Sequence, residues 1–259
     1  MEKGKIVPIV PGRAAAPVDR TAGAQRDARY AAGFAAKGDE AFLKGEYAEA
    51  ARRYRPAAEK GNAHAQAFLG CCYTFGLGVK KDPAEAVRWY RLAAAQGHPL
   101  AQRDLGSLLL RGEGAPKDAA EAVYWFRLAA DQGDARAQFN LALSFERGEG
   151  APKDLNEAFR YYGLSATQGF AAAQFNLGFY YERGVCTEVN AAEAVRLYRL
   201  AAAQDHDRAQ CGLGRCYETG FGVEKDRVEA VRWYRLAAAQ GEEEAQKALR
   251  RLKLIVGNP

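Results

Sequence analysis

Histidine and serine are scarce in this 259-residue chain, and the usual equipment of catalysis is scarce with them. Histidine stands only at His64, His98 and His206, and serine only at Ser107, Ser144 and Ser165. Neither an H-E-x-x-H nor a G-x-S-x-G segment occurs, which removes a zinc-protease helix and a hydrolase nucleophile elbow. The five cysteines, Cys71, Cys72, Cys186, Cys211 and Cys216, form no C-x-x-C pair and no zinc spacing. They read as free, small apolar residues of a reducing compartment, and neither a metal nor a cofactor is expected. Long apolar runs are missing too. The only apolar run near the N-terminus is broken by Pro8, too short for the stretch of about 7–15 residues in a secretory signal. Nothing nears the ~20 apolar residues of a membrane span. A soluble, cytoplasmic protein is expected. A net charge of +5, from 37 basic and 32 acidic side chains, lacks the clustered basic footprint of a dedicated nucleic-acid binder.

What the chain has instead is repetition. RGEGAPKD stands at 111–118 and again at 147–154. Ala-Gln recurs from Ala65 through Ala101, Ala137, Ala173 and Ala209 to Ala245, always 36 residues on, and Glu-Ala recurs in the same step from Glu49 to Glu229. A fixed period of this length marks a repeat architecture. Within one unit, Ala65, Phe68, Leu69, Cys72 and Tyr73 share one face of a helix. Gly76 and Gly78 then turn the chain. Asp82 is an N-cap, Pro83 fits the first helical position, and Glu85 completes a D-x-x-E capping box. The second helix places Ala86, Trp89, Tyr90, Ala93 and Ala94 together, and Gly97 ends it. RGEGAPKD is therefore the turn between two helices. A phosphate loop would need G-x-x-x-x-G-K-[ST] after a strand, and Lys117 is followed by Asp118. Neither helix can bury its apolar face alone, so the expected fold class is all-α, an α-solenoid of antiparallel αα-hairpins with a 36-residue period.

The pattern A-x-x-x-L-G-x-x-Y-x-x-G-x-G-V-x-x-D-x-x-E-A-V-x-W-Y-x-x-A-A-x-x-G, spelled out by 65–97, resembles the Sel-1-like repeat, a relative of the tetratricopeptide repeat. Five units follow: 63–98, 99–134, 135–170, 171–206 and 207–241. The fourth departs most: Cys186 replaces the second loop glycine, Asn190 the cap aspartate and Asp205 the final glycine, so its turns should be the most irregular. In the third, Ala142 replaces Gly70. Residues 28–62 have a shorter turn and resemble a plain tetratricopeptide unit, with Pro56 expected to kink its second helix. Residues 1–27 read as a flexible tail and 242–259 as a capping helix and tail.

The resemblance implies a non-enzymatic scaffold or adaptor that binds protein or peptide partners on the concave face, lined by the first helices. The candidate groove residues are Arg103, Leu110, Arg136, Phe139, Leu143, Phe175, Phe179, Arg208 and Arg215. Aromatics flanked by arginines suit a segment with an apolar anchor and acidic residues nearby. These phenylalanines could also be ordinary core. A clamp for a C-terminal carboxylate is not expected, because Asp39 stands where a donor would be needed. Nucleic acid is not expected either: Glu146, Glu182 and Glu218 recur at one groove position and would repel phosphate. One enzymatic alternative comes with the resemblance. Some cysteine-rich members have been described as β-lactamases, but they carry a bridging cysteine pair in each repeat, which this chain lacks. The six in-frame glutamates look like paired acids and are read as caps.

Overall fold

The computed structural model describes residues 22–252, and among them every regular element is a helix. The first helices of the five 36-residue units are α3 (Ala63–Phe75), α5 (Pro99–Arg111), α7 (Ala135–Arg147), α9 (Ala171–Arg183) and α11 (Asp207–Thr219). Their second helices are α4 (Pro83–Ala95), α6 (Ala119–Asp131), α8 (Leu155–Thr167), α10 (Ala191–Ala202) and α12 (Arg227–Ala239). They are preceded by α1 (Ala22–Leu43) and α2 (Tyr47–Glu59) and followed by α13 (Glu243–Arg251). Each helix packs mainly on its two neighbours in the chain. This is the α-solenoid that the period predicts. Helix α1 begins at Ala22, so residues 22–27, expected in the tail, are helical. The flexible tail expected over 1–21, and the part of the capping segment beyond Leu252, lie outside the described residues.

The core follows the repeat. Ala65, Leu69, Cys72, Ala86, Trp89, Tyr90, Ala93 and Ala94 are all buried. Small residues let the paired helices close on an aromatic ring: a Cβ added at Gly106 would sit 2.7 Å from the Phe126 ring. The turn is bound as tightly. Gly114 has φ +77, and a Cβ there would strike the backbone of Pro83 and Ala84 in the preceding unit. The turn glycine is thus where one repeat rests on the backbone of the one before.

One expectation about caps needs correction. Asp82, Asp118, Asp154, Asn190 and Asp226 do accept from the first-turn amides of their helices. The glutamates do not reach back to complete the box, because each cap amide already donates to the end of the preceding helix, as Asp82 N does to Tyr73 O at 3.0 Å. Four of the five glutamates instead pair with arginines of their own helix, as in Arg88–Glu85 (2.9 Å) and Arg196–Glu193 (2.6 Å), while Glu121 pairs with Arg91 of the preceding unit (2.6 Å). Helix α2 runs past Pro56 to Glu59, so the proline does not end the helix. The fourth unit keeps the turn conformation of the others with non-glycine residues, and its second helix is one residue shorter. Among the described residues, Cys186 and Asp205 are the non-glycine residues with positive φ, both at +59°.

The Ala-Gln dipeptide has a role that periodicity alone did not reveal. Its glutamine is buried in each of the five units. Gln138 donates to Ala130 O of the previous unit (3.2 Å) and accepts from Gln168 of its own (2.8 Å). Equivalent Gln–Gln bonds join Gln66 to Gln96, Gln102 to Gln132, Gln174 to Gln204 and Gln210 to Gln240. A buried amide with both ends satisfied ties successive units together.

Candidate functional site

The open side of the first helices carries the candidate residues, and the structure divides them into those bound internally and those left free. The division rests on a ladder between the helix layers. Tyr162 of α8 donates to Glu146 of α7 (2.8 Å), and Tyr180 of α9 donates to its other oxygen (3.1 Å). Tyr198 donates to Glu182 (2.6 Å) and Tyr234 to Glu218 (2.7 Å). Arg215 then closes on Glu182 (2.7 Å) and Arg251 on Glu218 (2.6 Å). The side chain of Glu182 is only 13% exposed. Where α6 carries Phe126, with no hydroxyl, the acid's place is taken by Leu110, half-buried against the core. Burial first, and the neighbouring carboxylate second, push the ionisation of Tyr162, Tyr198 and Tyr234 well above the ordinary tyrosine range. Glu146, Glu182 and Glu218 are therefore acceptors for core tyrosines. Glu182 and Glu218 also face an arginine, which offsets their repulsion of phosphate.

Arg103 and Arg215 are used up in the same way. Arg103 bonds Asp104 (2.7 Å) and Asp134 (3.1 Å) with its side chain 16% exposed. At the first unit, Asp39 accepts from Tyr54 (2.7 Å) and meets His64 Nε2 at 2.7 Å.

The remaining candidate arginines are available. Arg136 is exposed and makes no ion pair among the described residues, and the same holds for Arg147, which sequence reasoning passed over. Arg208 lies 4.6 Å over the ring of Phe175, which stacks in turn on His206 at 5.1 Å. Arg183, also passed over, lies 5.4 Å from the Phe179 ring. Both arginines stand where a helical register of four or eight residues continues the stripe already chosen, which is the signal that would have found them. The phenylalanines differ in exposure. Phe175 is 8% exposed and packs on Tyr198, so it forms a wall. Phe139 is half-buried, edge-on to Phe170 at 5.1 Å. Phe179 is 38% exposed, with half-buried Leu143 in the preceding unit. An exposed ring, an aliphatic residue one repeat back and four arginines without carboxylate partners among the described residues share one stripe of α7, α9 and α11.

The chemistry elsewhere is quiet. The five cysteines are free, so the bridging pair of the cysteine-rich members is lacking. Burial pushes the thiols of Cys71, Cys211 and Cys216 up to about 11 and that of Cys72 up to about 12, which keeps them protonated and poorly nucleophilic. Among the described residues no group of three His, Cys, Asp or Glu side chains could hold a metal ion. No helix among them is long and apolar enough to cross a membrane.

The Sel1 repeat family model matches residues 63–98, 99–134, 135–170, 171–206 and 207–242. Among solved structures, a Sel1 repeat protein from Oxalobacter formigenes is 31% identical over 87% of this chain and 92% of its own, with a TM-score of 0.79. A protective antigen of uropathogenic Escherichia coli, which displays an SLR fold, is 34% identical over 86% of this chain, with a TM-score of 0.76. The match takes in 49% of the Escherichia coli chain, so the present chain spans about half its length. An immunity protein from Pseudomonas aeruginosa, 21% identical over 87% of this chain and 84% of its own with a TM-score of 0.50, shares the fold alone. The comparison with curated proteins gives no match. With five consecutive units matched, each containing one of the helix pairs described above, the chain belongs to the Sel1 repeat family.

Proposed function

We propose that the protein is a non-catalytic adaptor of the cytoplasm, which holds a protein or peptide segment against the open, concave side of its first helices. Sel1 repeat proteins typically serve as protein-interaction scaffolds, and the finer reading rests on this surface. One observation carries it: exposed Phe179, with Arg183 5.4 Å from its ring, shares a helical stripe with Leu143 one repeat back and with arginines that no carboxylate neutralises among the described residues. An apolar side chain can dock on Phe179 and Leu143 while acidic groups meet Arg136, Arg147, Arg183 and Arg208. Aromatic and arginine side chains supply interface energy most often. A guanidinium already laid flat on a ring, as Arg208 is on Phe175, loses little freedom when it grips a carboxylate.

The test is capture from the native cell's lysate by wild type and by Arg136→Glu/Arg208→Glu, both checked by circular dichroism. Charge reversal should release the captured partner. Retention of the same partners by both proteins would count against an acidic segment in this groove.

A further inference from the structure

The residue that precedes each of α3, α5, α7, α9, α11 and α13 holds the same place in the repeat: Asn62, His98, Asp134, Phe170, His206 and Glu242. Three of these side chains accept an amide of the first turn. Asn62 Oδ1 takes Ala65 N at 2.8 Å, Asp134 Oδ1 takes Ala137 N at 2.7 Å and His206 Nδ1 takes Ala209 N at 3.3 Å. An amide oxygen accepts at any ordinary pH, and a carboxylate does so down to about pH 4. An imidazole accepts at Nδ1 only while that nitrogen carries no proton. Of the three caps, that of α11 is therefore the one that protonation in mild acid removes.

His206 also belongs to the groove wall. Its ring stacks on Phe175 of α9, 5.1 Å between centroids and 21° between planes, and Arg208, in the first turn of α11, lies 4.6 Å over the same phenylalanine. The charged groups that act on the imidazole are Asp207, whose Oδ1 is 3.9 Å from Nδ1, and Arg208, both on α11. Asp205 precedes it in the turn from α10, and α9 sets the neutral Phe175 against it. Burial is the largest influence and disfavours the imidazolium; Asp207 opposes it and Arg208 adds to it, so His206 takes up a proton below the ordinary histidine range. Asp207 is a weak anchor for the charged ring, because its carboxylate is 42% exposed and already accepts from the Arg208 amide at 2.7 Å. The positive end of the α11 dipole also opposes a cation at the cap.

We infer that His206 is a pH-sensitive latch in the groove wall. Neutral, it caps α11 and keeps Arg208 in place over Phe175; protonated, it lets go of the Ala209 amide and loosens the first turn of α11, which carries Arg208. A group with a depressed folded pKa adds stability above its unfolded pKa, and that stability is lost as pH falls through the folded value. Mild acid therefore acts on α11 before it acts on α7, which Asp134 caps. His98, the other histidine at this place in the repeat, makes no side-chain cap bond, and its Nδ1 is buried without a partner, so its protonation breaks no such bond. What the latch does to a bound segment rests on the concave-face reading. The latch itself does not, being a property of the unliganded chain.

The test compares the full-length wild type with His206→Asn, which installs the kind of cap that Asn62 provides, by NMR measurement of Ala209 amide exchange with solvent. At about pH 7.5 the two proteins should exchange alike, because both side chains then accept. Near about pH 5 the wild type should exchange faster, by up to about fivefold, the factor that corresponds to losing one cap. The His206 ring should titrate over the same window, with its midpoint below the ordinary histidine value of about 6.5. His98→Asn should leave the response in place. Equal exchange of wild type and His206→Asn at both pH values would overturn the inference. So would a response that His98→Asn removes and His206→Asn does not, or a His206 midpoint at or above the ordinary value. No partner enters this measurement, so it and the capture experiment on the concave face fail separately.

Discussion

Gly114 and Gly133 both have positive φ, yet only Gly114 is pressed against another part of the chain. That difference predicts different costs for the same mutation. Gly133→Ala, with open space around it, should cost about 1 kcal/mol for the left-handed backbone alone. Gly114→Ala adds a clash with the backbone of Pro83 and Ala84 and should cost upwards of about 2 kcal/mol. Denaturant midpoints of the two variants check the order. The reverse applies at Cys186, which holds φ +59° where the other four turns have glycine. Cys186→Gly should raise stability by about 1 kcal/mol, measured as a higher thermal midpoint. Single residues also show where sequence reasoning stops. Turn glycines and caps were legible because each is a local requirement of the backbone. The Gln138 bridge was not, since its partners, Ala130 O and Gln168, belong to two different helices. The fates of Arg103 and Arg215 were hidden for the same reason: pairing with Asp134 or Glu182 is a property of stacked units.

At the scale of the helix pair, the tyrosine–carboxylate ladder makes stability depend on alkaline pH. Buried Tyr162, Tyr198 and Tyr234 each donate to a glutamate, and each ionises well above its ordinary range in the folded protein. A group with a raised folded pKa contributes stability that is fully present below its unfolded pKa and is lost as pH rises above it. Unfolded tyrosine ionises near pH ~10. The urea midpoint should therefore hold steady up to about pH 9 and fall by about pH 10.5. A midpoint unchanged between those values would contradict the ladder's role. The Phe126–Leu110 pair explains why such a ladder can be broken safely in one unit, because hydroxyl and acid are both absent there. Helix positions and the paired-hairpin fold could be read from the 36-residue period. Which face was core and which was groove could not be read as cleanly: Phe175 and Phe179 lie one turn apart on the same stripe, and packing of His206 and Tyr198 around the first decides between them.

For the molecule as a whole, the described residues form one line of hairpins, each packed on the next, with a long open side. The open side of α7, α9 and α11 offers Phe179 and four arginines with no carboxylate partner among the described residues. The side is the central claim. A photo-crosslinking residue, p-benzoylphenylalanine, placed at position 179 on the open side or at position 164 on the second-helix side, tests it most directly. Leu164 is a suitable control, being 41% exposed and remote in register from the groove stripe. The account predicts a discrete adduct with a partner protein from position 179 in native cells, and none from position 164. Adducts from position 164 alone, or the same adducts from both, would contradict it.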